Sequence, residues 1–378
     1  MKNVLFFALF LVAFYGVYTF LHWFFWRGLN RSFILPPQAK GAIIAFFVIM
    51  YLFPIANHAS SALAGSLPCR GVAWIGFLWL GFLFYYLFVG GAFELAAFAV
   101  KRFAGDDLPR RALFIAASAL SVAIIAYGFH EASQITVRRH TVNSAKLPEF
   151  VSKIRIVQVS DVHFSQLHGI EFADRLTALI RDQRPDLLVM TGDFLDRGLV
   201  DEEGIAAKWR AIEAPLGKYA VMGNHEFYNG IDHSVALIEK AGFTLLRNRG
   251  ETRAGNALVI AGVDDPAAAR FGDELPSAQR VLESLPSAPY RIFLRHQPKD
   301  DPGTAGLFDL QFSGHTHNGQ IWPFSLFVSI PFPMRGGIYP QKEGGTVIVS
   351  SGAGTWGPPI RVLAPPDIVV VDLVRKVE

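Results

Sequence analysis

The stretch Ile154–His163, IRIVQVSDVH, decides how the rest of the chain is read. A short run rich in β-branched residues that stops at Ser160-Asp161-Val162-His163 reads as a buried strand. Its carboxyl end delivers a carboxylate and an imidazole to one place. Asp161 and His163 lie two apart, so on an extended tip both side chains point to the same side, as two ligands of one cation must. Alone the pattern is common, and a strand-end Asp capping a turn beside a surface His would serve as well.

Four later stretches repeat the design. Asp186–Asp193, DLLVMTGD, is an apolar strand ending in Gly-Asp, with Asp196 three residues on. Tyr219–Glu226, YAVMGNHE, presents Asn224 and His225. Tyr290–His296, YRIFLRH, presents His296, and Leu310–His317, LQFSGHTH, presents His315 and His317. Five of the eleven histidines sit at these ends. Taken singly each residue reads as structural; the ordered set reads as a site.

This ordered series, Asp-x-His, Gly-Asp-x-x-Asp, Gly-Asn-His-Glu, a lone His and Gly-His-Thr-His, resembles the calcineurin-like metallophosphoesterases from about Lys153 to the C-terminus. Gly314–Gln320 and Ser350–Arg361, SSGAGTWGPPIR, are similar to the bacterial membrane-anchored branch of that family. Asn318 departs from it, standing where that branch usually carries Gly; it is no ligand position and bears on loop shape. The resemblance implies an α/β domain of two β-sheets flanked by helices, and hydrolysis of a phosphodiester or pyrophosphate bond. It also implies two divalent metal ions. One would be held by Asp161, His163, Asp193 and His317, the other by Asp193, Asn224, His296 and His315, with Asp193 as bridge.

The donor types agree with that. Imidazole, carboxylate and amide oxygen without thiolate suit manganese, iron or zinc in a hydrolytic pair. Two cations roughly 3.5–4 Å apart together activate a hydroxide for in-line attack on phosphorus. His225 is then free of metal and is the catalytic candidate, giving a proton to the leaving oxygen or neutralising phosphoryl charge. Asp196 and Glu226 are expected to orient the histidine ligands. A catalytically weak regulatory or binding module is the alternative, but such a module would usually have lost a ligand, and none is missing. A zinc amidase would also cluster His and Asp; the Asn in Gly-Asn-His speaks for phosphoester chemistry.

The chain divides by solvent. Half its residues are hydrophobic (51%), and the first 130 are far more apolar than the rest. Val4–Trp26 is long enough to cross a bilayer core of about 30 Å and longer than a signal-peptide core. Gly41–Ile55, Gly71–Phe93 and Ala112–Phe129 repeat the pattern. The expected organisation is a transmembrane bundle of about four helices over 1–130, a linker over 131–152 and the phosphoesterase domain over 153–378. With three spans the catalytic domain would change sides. Trp23, Trp26, Trp74 and Trp79, with His22, His58, Glu94 and His130, are expected at span ends as interfacial anchors, which leaves the bundle without a transport pathway.

Basic residues set the orientation. The first and third loops carry Arg27, Arg31, Lys40, Lys101, Arg102, Arg110 and Arg111; the opposite side carries Lys2, Arg70, Arg138, Arg139 and Lys146. That balance places the catalytic domain outside the cytoplasm, on what the resemblance implies is a bacterial inner membrane. The net charge of +3 is largely this bias and calls for no nucleic-acid partner. Cys69, the only cysteine, excludes an intramolecular disulfide and leaves the redox compartment undecided, and the sequence leaves the oligomer state open.

In the second part, Glu171–Arg184 and Ser234–Ala241 show helical spacing, and Ala257–Val263, Thr346–Ser350 and Ile368–Leu373 read as strands of a second sheet. Trp322–Met334, WPFSLFVSIPFPM, has three prolines and no charge. Prolines remove ladder donors, so this segment is expected as an apolar loop beside the metal ligands. Such a loop would rest at membrane lipid or line a groove for an acyl chain, which makes a phosphorylated, lipid-linked substrate the expected partner.

Overall fold

The computed structural model describes residues 2–60, 67–273, 275, 277–287 and 289–376; the side chains of residues 2–7, 10, 58–60 and 67–69, His58 and Cys69 among them, lie outside that description. Contacts divide the chain into two units, Met1–His130 with Gly357–Ile360, and Glu131–Trp356 with Arg361–Glu378.

The first unit holds four long helices, α1 (Lys2–Ser32), α2 (Pro37–Ser60), α3 (Leu67–Ala104) and α4 (Arg110–Ser133). Among the described residues three stretches are long and apolar enough to cross a membrane: Pro37–Asn57, Arg70–Ala104 and Arg110–Ser133. The remaining expected span falls in α1, where several side chains are outside the description. Large apolar side chains such as Val12, Ile49, Leu95 and Val122 face outward, as they do where lipid is the solvent.

His22 and Trp79 pair with each other within the helical unit. His22 is buried, its Nδ1 2.9 Å from the Tyr18 carbonyl, and Trp79 Nε1–H donates to its Nε2 at 3.0 Å. Phe47 and Tyr51 pack around the same ring. Both nitrogens are thereby satisfied, which is how an apolar bundle tolerates an imidazole.

The second unit runs β1 (Thr136–Ser144), β2 (Lys153–Val159), α5 (Ile170–Asp182), β3 (Leu187–Thr191), α6 (Glu202–Arg210), β4 (Lys218–Val221), α7 (Asn224–Asn229), α8 (Ile231–Lys240) and β5 (Thr244–Leu245). It continues with β6 (Arg249–Arg253), β7 (Leu258–Gly262), α9 (Ala278–Glu283), β8 (Tyr290–Leu294), β9 (Leu310–Ser313), α10 (Phe324–Val328), β10 (Gly337–Pro340), β11 (Thr346–Val349) and β12 (Asp367–Arg375). The strands form two mixed six-stranded sheets, ordered β1-β12-β2-β3-β4-β5 and β10-β11-β9-β8-β7-β6.

Alternation along each strand builds two cores at once. Ile154 and Ile156 of β2, Leu187 and Val189 of β3, and Tyr219 and Val221 of β4 face Leu258, Ile260, Ile292, Leu310 and Phe312 of the other sheet. Their neighbours Val157, Val159, Leu188, Met190 and Ala220 face the opposite way, onto Leu176 and Ile180 of α5, Trp209 of α6 and Ile238 of α8. Burial on both faces is why these strands read as near-continuous apolar runs. Each such side chain contributes about 1.5–3 kcal/mol relative to exposure.

Two expectations change. Ile368–Leu373 belongs to the first sheet, where β12 lies between β1 and β2 and runs antiparallel to β2. The expected linker 131–152 is not free chain either: Thr136–Ser144 pairs in parallel with Asp367–Arg375 along its whole length. Its polar sequence reflects an edge position, with one side chain in two facing solvent.

Candidate metal centre

β2, β3, β4, β8 and β9 end side by side, and each hands its next residues to one site. His317 Nε2 is 3.4 Å from Asp161 Oδ1 and 3.0 Å from His163 Nε2. His163 Nε2 is 3.8 Å and His296 Nε2 3.2 Å from Asp193 Oδ2. His315 Nδ1 is 3.2 Å from His296 Nε2. Three groups have ligand atoms close enough to hold a cation: Asp161, His163 and His317; Asp193, His296 and His315; and His163, Asp193 and His225. Asp193 belongs to two of them, the position a bridging carboxylate needs.

The backbone at these tips is not relaxed. Asp161, His163, Asp193, His315 and His317 all have positive φ, between 48° and 71°. Left-handed backbone costs a residue with a Cβ of order 1–3 kcal/mol and gathers at functional sites. Gly192, at φ 90°, could not carry a side chain: a Cβ there would lie 2.6 Å from the Gly223 nitrogen and 2.7 Å from His296 Nδ1. A Cβ on Gly314 would collide with Ser160 Oγ and Asp161 Oδ2.

Hydrogen bonds fix the rings. His163 Nδ1–H donates to Asp196 Oδ2 at 3.1 Å, and His296 Nδ1–H to the Thr191 carbonyl at 2.7 Å. In both rings the other nitrogen, Nε2, faces the cluster. Asn224, at the start of α7, adds a buried Oδ1 without a hydrogen-bond partner among the described residues. Burying an amide oxygen unpaired costs about 1–3 kcal/mol, which coordination to a cation removes. An amide oxygen of this kind, with the imidazoles and carboxylates of the cluster, fits the donor set of a divalent-metal site.

Burial lowers the pKa of His315 to about 3 and that of His317 well below its ordinary value, so both rings are neutral at pH 7, as ligands must be. At His225 burial works the same way, but Asp196 and Asp193 outweigh it and push the pKa up to about 10. The charged ring is held by Asp196, which accepts from His225 Nδ1, while the His225 backbone N–H donates to Asp193 Oδ1 at 2.9 Å. Asp196 therefore orients His163 and His225 together. Burial raises its pKa, and the two imidazoles hold it well below the carboxylate range.

Glu226 departs from the expected role. Among the described residues it hydrogen-bonds no histidine; its carboxylate accepts the backbone N–H groups of Asp193, Phe194, Leu195 and Gly223. It clamps the Gly-Asp and Gly-Asn-His loops together. The sequence reading also missed Arg361, although the motif containing it was visible. Fully buried, with its pKa lowered by that burial to about 10, Arg361 stays charged at neutral pH. It donates to His317 Nδ1 at 3.1 Å and to the carbonyls of Ser351, Gly352, Gly354 and Ala364. The SSGAG loop is thus folded around a cation that holds the His317 ring in place. Asn318, at φ 50° and ψ 27°, occupies left-handed backbone that Asn tolerates better than most residues, which accounts for Asn where the branch has Gly.

The family model described as calcineurin-like phosphoesterase matches residues 154–319. An uncharacterized metallophosphoesterase of Aquifex aeolicus is 35% identical over 263 residues, covering 68% of this chain and 98% of the relative. An uncharacterized metallophosphoesterase of Campylobacter jejuni is 34% identical over 237 residues, covering 61% of this chain and 62% of the relative. A transmembrane protein with metallophosphoesterase domain from Danio rerio is 28% identical over 240 residues, 60% of this chain and 55% of its own length. The chain thus spans about six tenths of the Campylobacter relative and just over half of the fish one. With the Aquifex relative matched almost end to end and five strand tips carrying one cluster of carboxylates and imidazoles, this chain belongs to the calcineurin-like metallophosphoesterase family.

Proposed function

We propose that the protein is a membrane-anchored, metal-dependent phosphoesterase that hydrolyses a phosphodiester or pyrophosphate bond in a lipid-linked substrate. The observation that carries the hydrolytic reading is the intact cluster together with the buried Oδ1 of Asn224, the residue before His225, which has no hydrogen-bond partner among the described residues. Asp161, His163, Asp193 and His317 would hold one divalent cation, and Asp193, Asn224, His296 and His315 the other. When bound, the pair supplies charge neutralisation at phosphorus and an acidified water. Manganese, iron and zinc all suit these donors.

The chain's own residues do the rest. Asp196 holds His225 with its proton at neutral pH, and the ring is tied to Asp193 through its backbone N–H, so the donor keeps a fixed place beside the ligands. His225 would protonate the leaving oxygen. Arg361 and Glu226 keep the loops in their strained conformation.

The lipid part rests on apolar surface. The expected loop 322–334 contains α10, whose Leu326 and Phe327 are 59% and 56% exposed, followed by Ile330 at 78%. Phe332 lies 4.8 Å ring to ring from His315 and lines a cavity of about 630 Å³ with Met334, Tyr339 and several prolines. An exposed apolar segment leading to a ligand histidine suits an acyl chain. The test is hydrolysis by detergent-purified protein with manganese, comparing a lipid phosphoester in micelles with a small soluble phosphodiester. Replacing Phe324, Phe327 and Phe332 with Ser should depress the lipid reaction selectively; equal loss on both substrates would mean a structural role. We further propose that the catalytic unit faces away from the cytoplasm of a bacterial inner membrane. An active cytoplasmic reporter fused after Glu378 would overturn that orientation.

A further inference from the structure

The turns from α1 to α2 and from α3 to α4 are basic, and the fold draws three of their arginines to one place. Ser32 Oγ, at the end of α1, donates to the Arg110 carbonyl at the start of α4, 3.2 Å away. Glu94 of α3 lies 3.9 Å from Arg31 and 3.4 Å from Arg110. Arg111 makes no ion pair among the described residues; its guanidinium sits 5.1 Å from the centre of the Phe33 ring, which packs edge-on against Phe114. Three guanidiniums thus gather around one carboxylate, and two positive charges are left over.

Apolar surface stands beside this charge. α3 has 38 residues, well above the roughly 20 that cross a bilayer, and a group of four charges is too costly to leave in hydrocarbon. The level of Glu94 therefore falls among the lipid headgroups. Leu95 follows Glu94, and Phe98 lies one turn further on the same helix; they are 69% and 67% exposed. Arg31, Arg110 and Glu94 are themselves half-exposed, so the charged groups are open to a ligand from outside the bundle.

Surplus guanidinium charge next to bare hydrocarbon suits an amphiphile. A phosphate accepts from guanidinium groups in a planar fork and offsets their charge, while an acyl chain covers leucine and phenylalanine. Free phosphate meets only the first need. A zwitterionic lipid brings an ammonium of its own back to the arginines, and the attraction is lost. We propose that the ends of α1, α3 and α4 form a binding site for an anionic phospholipid, its phosphate among Arg31, Arg110 and Arg111 and its chains along Leu95 and Phe98. The site is built from the helical unit alone and does not rest on the phosphoesterase reading.

The test titrates the full chain, in non-ionic detergent with no metal added, with dioleoyl phosphatidylglycerol or dioleoyl phosphatidylcholine, and counts bound lipid by native mass spectrometry. Wild-type protein should hold phosphatidylglycerol roughly 25-fold more tightly, about fivefold for each surplus charge. Equal binding of the two lipids would overturn the proposal. Arg111→Gln removes the one arginine of the three that has no ion-pair partner, and should weaken phosphatidylglycerol about fivefold while leaving phosphatidylcholine unmoved. Glu94→Gln should act in the opposite direction and tighten phosphatidylglycerol by a similar factor, a gain that a damaged bundle cannot produce. Unchanged binding in both variants would sink the site. Arg70→Gln alters net charge by the same amount at the other end of α3 and should leave the preference intact; a loss equal to that of Arg111→Gln would make the effect one of total charge and refute a local site. Millimolar inorganic phosphate, added at constant ionic strength, should leave the phosphatidylglycerol bound. Its displacement would make the arginines a site for free phosphate and overturn the lipid assignment.

Discussion

Ile156 and Val157 sit fully buried in a regular strand, whereas Asp161, a few residues on, has φ 51° and a buried carboxylate. The same contrast recurs along β3, where Val189 and Met190 give way to Asp193 at φ 53°, and along β9, where Phe312 gives way to His315 at φ 71°. Strand interiors satisfy every local preference at once: β-branched residues, apolar alternation and paired backbone. Strand tips violate several together, with left-handed backbone, desolvated charge and an amide oxygen lacking a partner. The interior thus supplies the stability that the tips draw down. Glu226 and Arg361, each bonded to several backbone groups, are the devices that hold the tips against that strain.

If the two regions divide function from stability in this way, substitutions should separate the two cleanly. The largest effect is expected at Asp193. Asp193→Ala should abolish hydrolysis and lower bound metal, measured by elemental analysis. A variant with wild-type turnover would remove Asp193 from the centre. Next comes His225→Ala, which should keep both metals and lose about 10² to 10⁴ in rate, the usual worth of general acid catalysis. Metal loss in this variant would instead make His225 a ligand, as its proximity to His163 and Asp193 permits. The smallest effect on activity belongs to the interior. Ile156→Ala should cost about 2–5 kcal/mol in denaturant unfolding, yet leave kcat per folded molecule unchanged. A fall in kcat of the size seen at His225 would show that interior and tip are coupled and break the comparison.

The sequence by itself determined the strands from β2 to β9 that end at the site, the run of metal-competent residues in order, and the apolar N-terminal helices. Each of these is written in neighbours: a two-residue alternation, a Gly-Asp or His-x-His spacing, some twenty apolar residues without a charge. Partners far along the chain were decided only by the tertiary structure. β1 reads as polar linker until Arg139 is seen opposite Val370, and β12 joins the first sheet because Val370 pairs with Val157 on its other side. Glu226 looks like a helper of the adjacent His225, but its oxygens meet N–H groups more than thirty positions away. Arg361 meets His317 across forty-four positions, and His22 meets Trp79 across fifty-seven. Local pattern fixes what a residue can do, through its chemistry and its face. Which group it does it with depends on long-range strand order and loop closure, which the folded chain sets through packing.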